Sequence, residues 1–246
     1  MASRFHSRSI SVDYAFQQDL VYQRTADERA TFMRRTYGHL AGAILSFTLI
    51  ELVVFKTGIA EDIIGRLFTG GSMGMLLLMG AFIGAGYLAQ YWARADMPLG
   101  MQYAGLGLYV VVEAVIFMPL LYIATKFSDP TILPTAAILT LALFGGLTAV
   151  TFVMGKDLSF LRPMIVIASF VALGLILAAM IFGFTLGLLF SGAMVVLASA
   201  AIMYDTSNIM YHYRADQYVG AALNLFASVA LLFYYILRIL LATQRR

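Results

Sequence analysis

Seven apolar runs, at 38–55, 73–92, 99–125, 133–153, 163–182, 185–210 and 219–243, constrain this chain more than any other feature. Each is close to the ~20 residues a helix needs to cross about 30 Å of hydrocarbon. With no water to pair with, every backbone N–H and C=O in such a run must be satisfied internally, which a helix does within a single segment. Charged residues are 12% of the 246 and apolar ones 61%; soluble domains hold roughly 25% and 45–50%. The expectation is an all-α membrane protein, a seven-transmembrane-helix bundle over 37–246, preceded by a cytoplasmic polar tail and surface helix over 1–36.

Local signals refine this. Residues 1–19 show no period and read as a mobile tail. The stretch TADERATFMRRTY at 25–37 reads as a short surface helix, with Thr25 as N-cap and Glu28 as its capping-box partner. Tyr91 and Trp92 close the second run as interfacial aromatics. Pro119 is a candidate kink in the third run, Pro134 sits in the first turn of the fourth, and Gly183 marks a tight turn between the fifth and sixth. The pairs Gly38/Gly42, Gly80/Gly84 and Gly183/Gly187 have the spacing that lets helices approach closely, and are expected to serve packing within one bundle. No apolar stretch near the start reads as a cleaved signal peptide. There is no cysteine, so neither a disulfide nor a thiolate metal site can form within the chain.

With the N-terminus inside, the inner segments hold ten of the basic residues: Arg4, Arg8, Arg24, Arg29, Arg34, Arg35, Arg94, Lys156, Arg162 and Arg214. The outer loops hold three, Lys56, Arg66 and Lys126, so the positive-inside rule puts the N-terminus in the cytoplasm. Seven crossings then leave Arg245 and Arg246 outside, against that rule. A re-entrant last segment would return both ends to the cytoplasm, but the run is long enough to span and seven crossings is the expectation.

Ionisable residues inside such runs are costly and mark functional positions by default. Four fall within or near the ends: Glu51, Glu113, Asp205 and Arg238. Glu51 lies late in the first run and is expected to reach the outer headgroups. Glu113 is near the middle of the third, with Tyr109 one turn earlier as its one polar neighbour on that face. Asp205 heads a stripe with Asn208 and His212. Asn224, Ser228, Leu231, Tyr235 and Arg238 recur at spacings of four, three, four and three on the last run. If the two stripes meet, Asp205 gains hydroxyl, amide and guanidinium partners. Asp205, Ser228, Glu113, Asn208, His212 and Arg238 are therefore the candidate ion-pathway or gating residues, with Asp205 the candidate for a cation.

Catalytic chemistry finds no support. His6, His39 and His212 lack metalloprotease spacing, and there is no phosphate-binding loop or dinucleotide fingerprint. No apolar run carries the second aspartate that an intramembrane aspartyl protease needs, and Ser191–Gly192 lacks a nearby base. An enzyme is not expected, and neither a cofactor nor a nucleic-acid partner is.

Several stretches together resemble the Bax-inhibitor-1, or transmembrane Bax inhibitor motif, family. They are MRRTYGHLAG at 33–42, EAVIFMPLL at 113–121, GKDLSFL at 155–161, YDTSNI at 204–209 and LFASVALLFYYILRIL at 225–240. The resemblance implies six helices wrapped around a central last one. In the family's calcium-leak members, two aspartates on the sixth and seventh helices share protons and gate a pore. Asp205 matches the first; the second falls at Ser228, and an Asn often seen near it falls at Leu231. A shared-proton switch needs two coupled carboxylates. DTSNI with Ser228 is closer to the bacterial branch that includes modulators of the membrane-anchored AAA+ quality-control protease. The resemblance thus implies a non-enzymatic bacterial inner-membrane protein acting on protein quality control or stress response through that protease. The alternative is a pH-sensitive calcium leak around Asp205. The expected partners are the lipid bilayer, an AAA+ protease complex, and calcium or protons.

Overall fold

The computed structural model describes residues 20–69, 71–94 and 96–244, with 66–69, 71–75, 77 and 78 described by backbone alone. The expected mobile tail and the terminal Arg245 and Arg246 lie outside the described residues. Among those residues the regular structure is helical: α1 (Ala26–Lys56), α2 (Ile59–Thr69), α3 (Gly71–Trp92), α4 (Leu99–Lys126), α5 (Ile132–Met154), α6 (Leu161–Phe182), α7 (Leu188–Tyr211) and α8 (Tyr218–Gln244). A 3-10 turn at Val21–Gln23 precedes α1, and Leu20 forms one isolated antiparallel bridge with Arg214.

Six helices, α1 and α4 to α8, are long and apolar enough to cross a membrane. The expected crossing at 73–92 is helical as α3, but part of its side chains falls outside the described residues, so the support is for six crossings rather than seven. The surface helix expected at 25–37 and the first crossing expected at 38–55 form one helix of 31 residues. No proline separates them, and a lone glycine such as Gly38 costs a helix only about 1 kcal/mol. The capping box at its start is present: the Glu28 N–H donates to Thr25 Oγ1 at 3.3 Å and the Thr25 N–H to Glu28 Oε2 at 3.1 Å. Helix α2 occupies what reads in sequence as an outer loop. At 11 residues it is too short to register as a crossing. It is fastened by Glu61, whose carboxylate is 3.3 Å from Lys126 Nζ on α4. Gly155 and Gly183 end α5 and α6 in the left-handed conformation, at φ +56° and +73°, where a Cβ would be strained.

Helix α8 packs against α1, α4, α5 and α7. Of its most apolar stretch 56% is buried, against 39% for α4 and 6% for α6, so the last helix is the enclosed one and α6 the peripheral one. Lipid tails are as apolar as leucine, so such helices associate through shape and van der Waals contact rather than through escape from water. Around Phe117 on α4, Phe233 stacks at 5.7 Å, and Phe47 and Tyr234 meet its ring edge-on at 5.1 and 5.3 Å.

The glycine pairs singled out in the sequence are not the close approaches. Among the described residues, a Cβ at Gly38, Gly42, Gly80, Gly84, Gly183 or Gly187 would meet nothing within 4 Å. Among the described residues the tight contacts are at Gly105 and Gly220. A Cβ on Gly105 would lie 2.5 Å from the Ala89 carbonyl oxygen, and one on Gly220 would lie 2.9 Å from that of Ala93. The last turn of α3 is thus wedged between α4 and α8.

Candidate functional site

The stripes on α7 and α8 meet where the sequence places their most polar members. Asp205 is 8% exposed, and Ser228 Oγ donates to its Oδ2 at 2.6 Å. A buried carboxylate without such a donor carries a heavy desolvation cost. One turn before Ser228, Asn224 Nδ2 donates to the Tyr213 hydroxyl at 2.8 Å. Tyr213 sits in the α7–α8 loop. Burial first, and the nearby Asp205 carboxylate second, push its phenol above the ordinary value.

The other expected members are placed elsewhere. Arg238 does not face Asp205: its Nη2 donates to the Leu186 carbonyl at 2.7 Å, in the segment between α6 and α7. Asn208 contributes its backbone carbonyl, which accepts from the N–H groups of His212 and Tyr213 at 2.8 and 3.1 Å and ends α7. Leu231 packs among apolar neighbours, and Tyr235 is buried against Phe190. His212 turns outward, its Nε2 2.9 Å from Asp157 Oδ2.

That last contact belongs to a clasp not apparent from the residue pattern. The α5–α6 loop is stitched to the end of α7 at four points. Tyr211 donates to the Gly155 carbonyl at 2.6 Å, and the Leu158 N–H donates to Ser207 Oγ at 2.9 Å. Ser207 in turn donates to the Lys156 carbonyl at 3.3 Å, and His212 holds Asp157. The signal in the sequence was that GKDLSFL and YDTSNI both stood out; nothing there said that they touch. Burial pulls the Asp157 carboxyl upward, but the hydrogen bonds from His212 and the Ser159 N–H outweigh it and hold the carboxyl below its ordinary value. A lowered native value means the ionised form is bound more tightly in the folded chain. Its contribution is complete above the unfolded value of about 3.9 and is lost as pH falls through the native value. Asp157→Asn is therefore expected to raise hydrogen exchange at the Leu158 amide at neutral pH. Unchanged exchange would show that the clasp does not depend on this carboxylate.

Glu113 on α4 lies beside Tyr109, one turn earlier, as its spacing suggests. It lines a cavity of about 540 Å³ with Gln90 of α3, Met180 of α6 and Tyr234 of α8. Asp205 does not line that cavity. Glu51, expected at the outer headgroups, is instead turned into the bundle: it is 6% exposed and lies against α4, α5 and α8. Counting along α1 gives its depth but not its direction around the helix. Among the described residues no three His, Cys, Asp or Glu side chains cluster as a metal site would need.

The family model described as inhibitor of apoptosis-promoting Bax1 matches residues 29–246. The chain belongs to the Bax inhibitor-1 family. It is similar to a BI1-like protein of Arabidopsis thaliana, 29% identical over 217 residues that cover 85% of this chain and 79% of the relative. Protein LIFEGUARD 3 of the same plant is 26% identical over 87% of this chain and 85% of its own. An uncharacterized protein of Pseudomonas aeruginosa is 34% identical over 44% of this chain and 49% of its own. The match begins at residue 29, inside α1, and runs through both stitched stretches of this Bax inhibitor-1 chain, the loop after α5 and the end of α7.

Proposed function

We propose that this Bax inhibitor-1 family protein is a non-enzymatic component of a bacterial inner membrane. In this reading its N-terminus is cytoplasmic, α3 is a seventh crossing, and it modulates membrane-protein quality control by binding a membrane-anchored AAA+ protease. The observation that carries this reading is the Asp205–Ser228 pair. The hydroxyl stands 2.6 Å from the carboxylate where a shared-proton gate would need a second acid. A lone carboxylate held by a neutral donor suits a fixed register between α7 and α8 better than a proton-coupled gate. Binding then falls to the surfaces, including the clasped cytoplasmic end. Affinity purification of the full chain from native membranes is expected to recover the protease, and a deletion strain to change the turnover of its substrates. Absence of both effects would remove the proposal.

The second reading is a pH-sensitive calcium or cation leak, favoured by the half-buried Glu113 in its cavity. Intramembrane carboxylates of this kind line ion routes. Proteoliposomes test it. Calcium uptake that rises with Ser228→Asp and falls with Asp205→Asn would support a gate at Asp205. Uptake that survives Asp205→Asn would move the site to Glu113, and silence at acidic, neutral and mildly alkaline pH would dispose of the leak.

A further inference from the structure

Glu51 is the buried ionisable group that neither reading uses. Among the described residues, neither of its carboxylate oxygens has a hydrogen-bond or ion-pair partner. It lines a cavity of about 310 Å³ walled by Phe47, Phe55, Phe117, Phe226 and Phe233. The threonines beside it offer no help. Thr48, Thr125 and Thr140 already donate to the carbonyls of Ile44, Leu121 and Ala136, at 2.8, 2.8 and 2.7 Å. Among the described residues the cavity therefore presents the Glu51 carboxyl group and aromatic rings, with no other free donor.

A buried acceptor without a partner calls for a donor from outside the chain. A fatty acid would bring a second negative charge, and a plain hydrocarbon would leave the oxygens bare. A protonated primary amine supplies three N–H donors and a positive charge, which aromatic faces also attract. A pocket of this size with mostly apolar walls and one polar group fits a small amphiphile. We propose that this cavity binds an alkylammonium group, its nitrogen on the Glu51 carboxylate and its hydrocarbon along the phenylalanine walls. Both a free amphiphilic amine and the ammonium of an aminophospholipid headgroup have this chemistry.

The full chain in uncharged detergent tests it, with octylamine as probe and octanol as the matched control, read by native mass spectrometry and by thermal shift. One octylamine is expected to bind at least about tenfold more tightly than octanol, a difference of about 1.4 kcal/mol. Glu51→Gln is expected to abolish that preference. Ala137→Leu, which narrows the cavity from α5 and leaves Glu51 in place, is expected to weaken binding of both probes. Displacement of octylamine by phosphatidylethanolamine but not by phosphatidylglycerol assigns the site to lipid; no displacement assigns it to a free amine. Equal octylamine affinity in the wild type and Glu51→Gln, or octanol bound as tightly as octylamine, would overturn the proposal.

Discussion

Gly105→Ala is expected to destabilise the bundle by about 1–3 kcal/mol, the usual penalty for forcing a methyl into a filled site. The group it meets is backbone, the Ala89 carbonyl oxygen at 2.5 Å, with the Ala93 nitrogen at 2.9 Å, so no side chain can swing aside. Relief requires α3 to move off α4, and through Gly220 that movement is felt by α8. Gly84→Ala is the matched control on α3, where the new methyl meets nothing within 4 Å. Exchanging a helix-interior glycine for alanine favours the helix by about 1 kcal/mol, so the two substitutions are expected to shift the melting temperature in opposite directions. Thermal melts of the detergent-solubilised protein compare them, and equal shifts would remove the proposed wedge.

Ser228→Ala is the second large effect. It withdraws the donor from Asp205 at a position only 8% exposed. Leaving such an acceptor unpaired costs about 1–3 kcal/mol. Removing both partners is gentler, because apolar groups of similar shape then fill the place of a polar pair. The double substitution Asp205→Leu with Ser228→Ala is therefore expected to melt above Ser228→Ala alone. If it melts lower, the carboxylate is held by more than this hydroxyl.

The crossings were legible because a bilayer imposes a length, and length is visible in a one-dimensional string. The apolar runs at 133–153 and 219–243 became Ile132–Met154 and Tyr218–Gln244. The meeting of Asp205 with Ser228 was legible from helical spacing once the two stripes were laid side by side. What spacing cannot supply is a neighbour. Gly38 and Gly42 define a smooth face whether or not a helix lies against it, and here none comes within 4 Å of the missing methyls. Arg238 shares a face with Ser228, yet ten residues of helix separate them by about 15 Å of rise. Its reach ends at the Leu186 carbonyl instead. Glu51 follows the same rule: depth follows from counting, whereas direction depends on which helices pack alongside. Helix α2 leaves no such mark, because 11 residues match no bilayer length.

Helix α6 is held in an unusual manner. Along its length it is the least buried of the six crossing helices, touching α7 and α3, while its loops are fastened at both extremities. Arg238 ties one at the Leu186 carbonyl, and the residues around Ser207 tie the other. Its 22 residues rise about 33 Å, close to the thickness of a bilayer's oily interior. A strut of that length is pinned at its tips and braced between them by α7 and α3. Thinning or thickening of the surrounding lipid loads the two pins, and one of them sits on the same helix as Asp205.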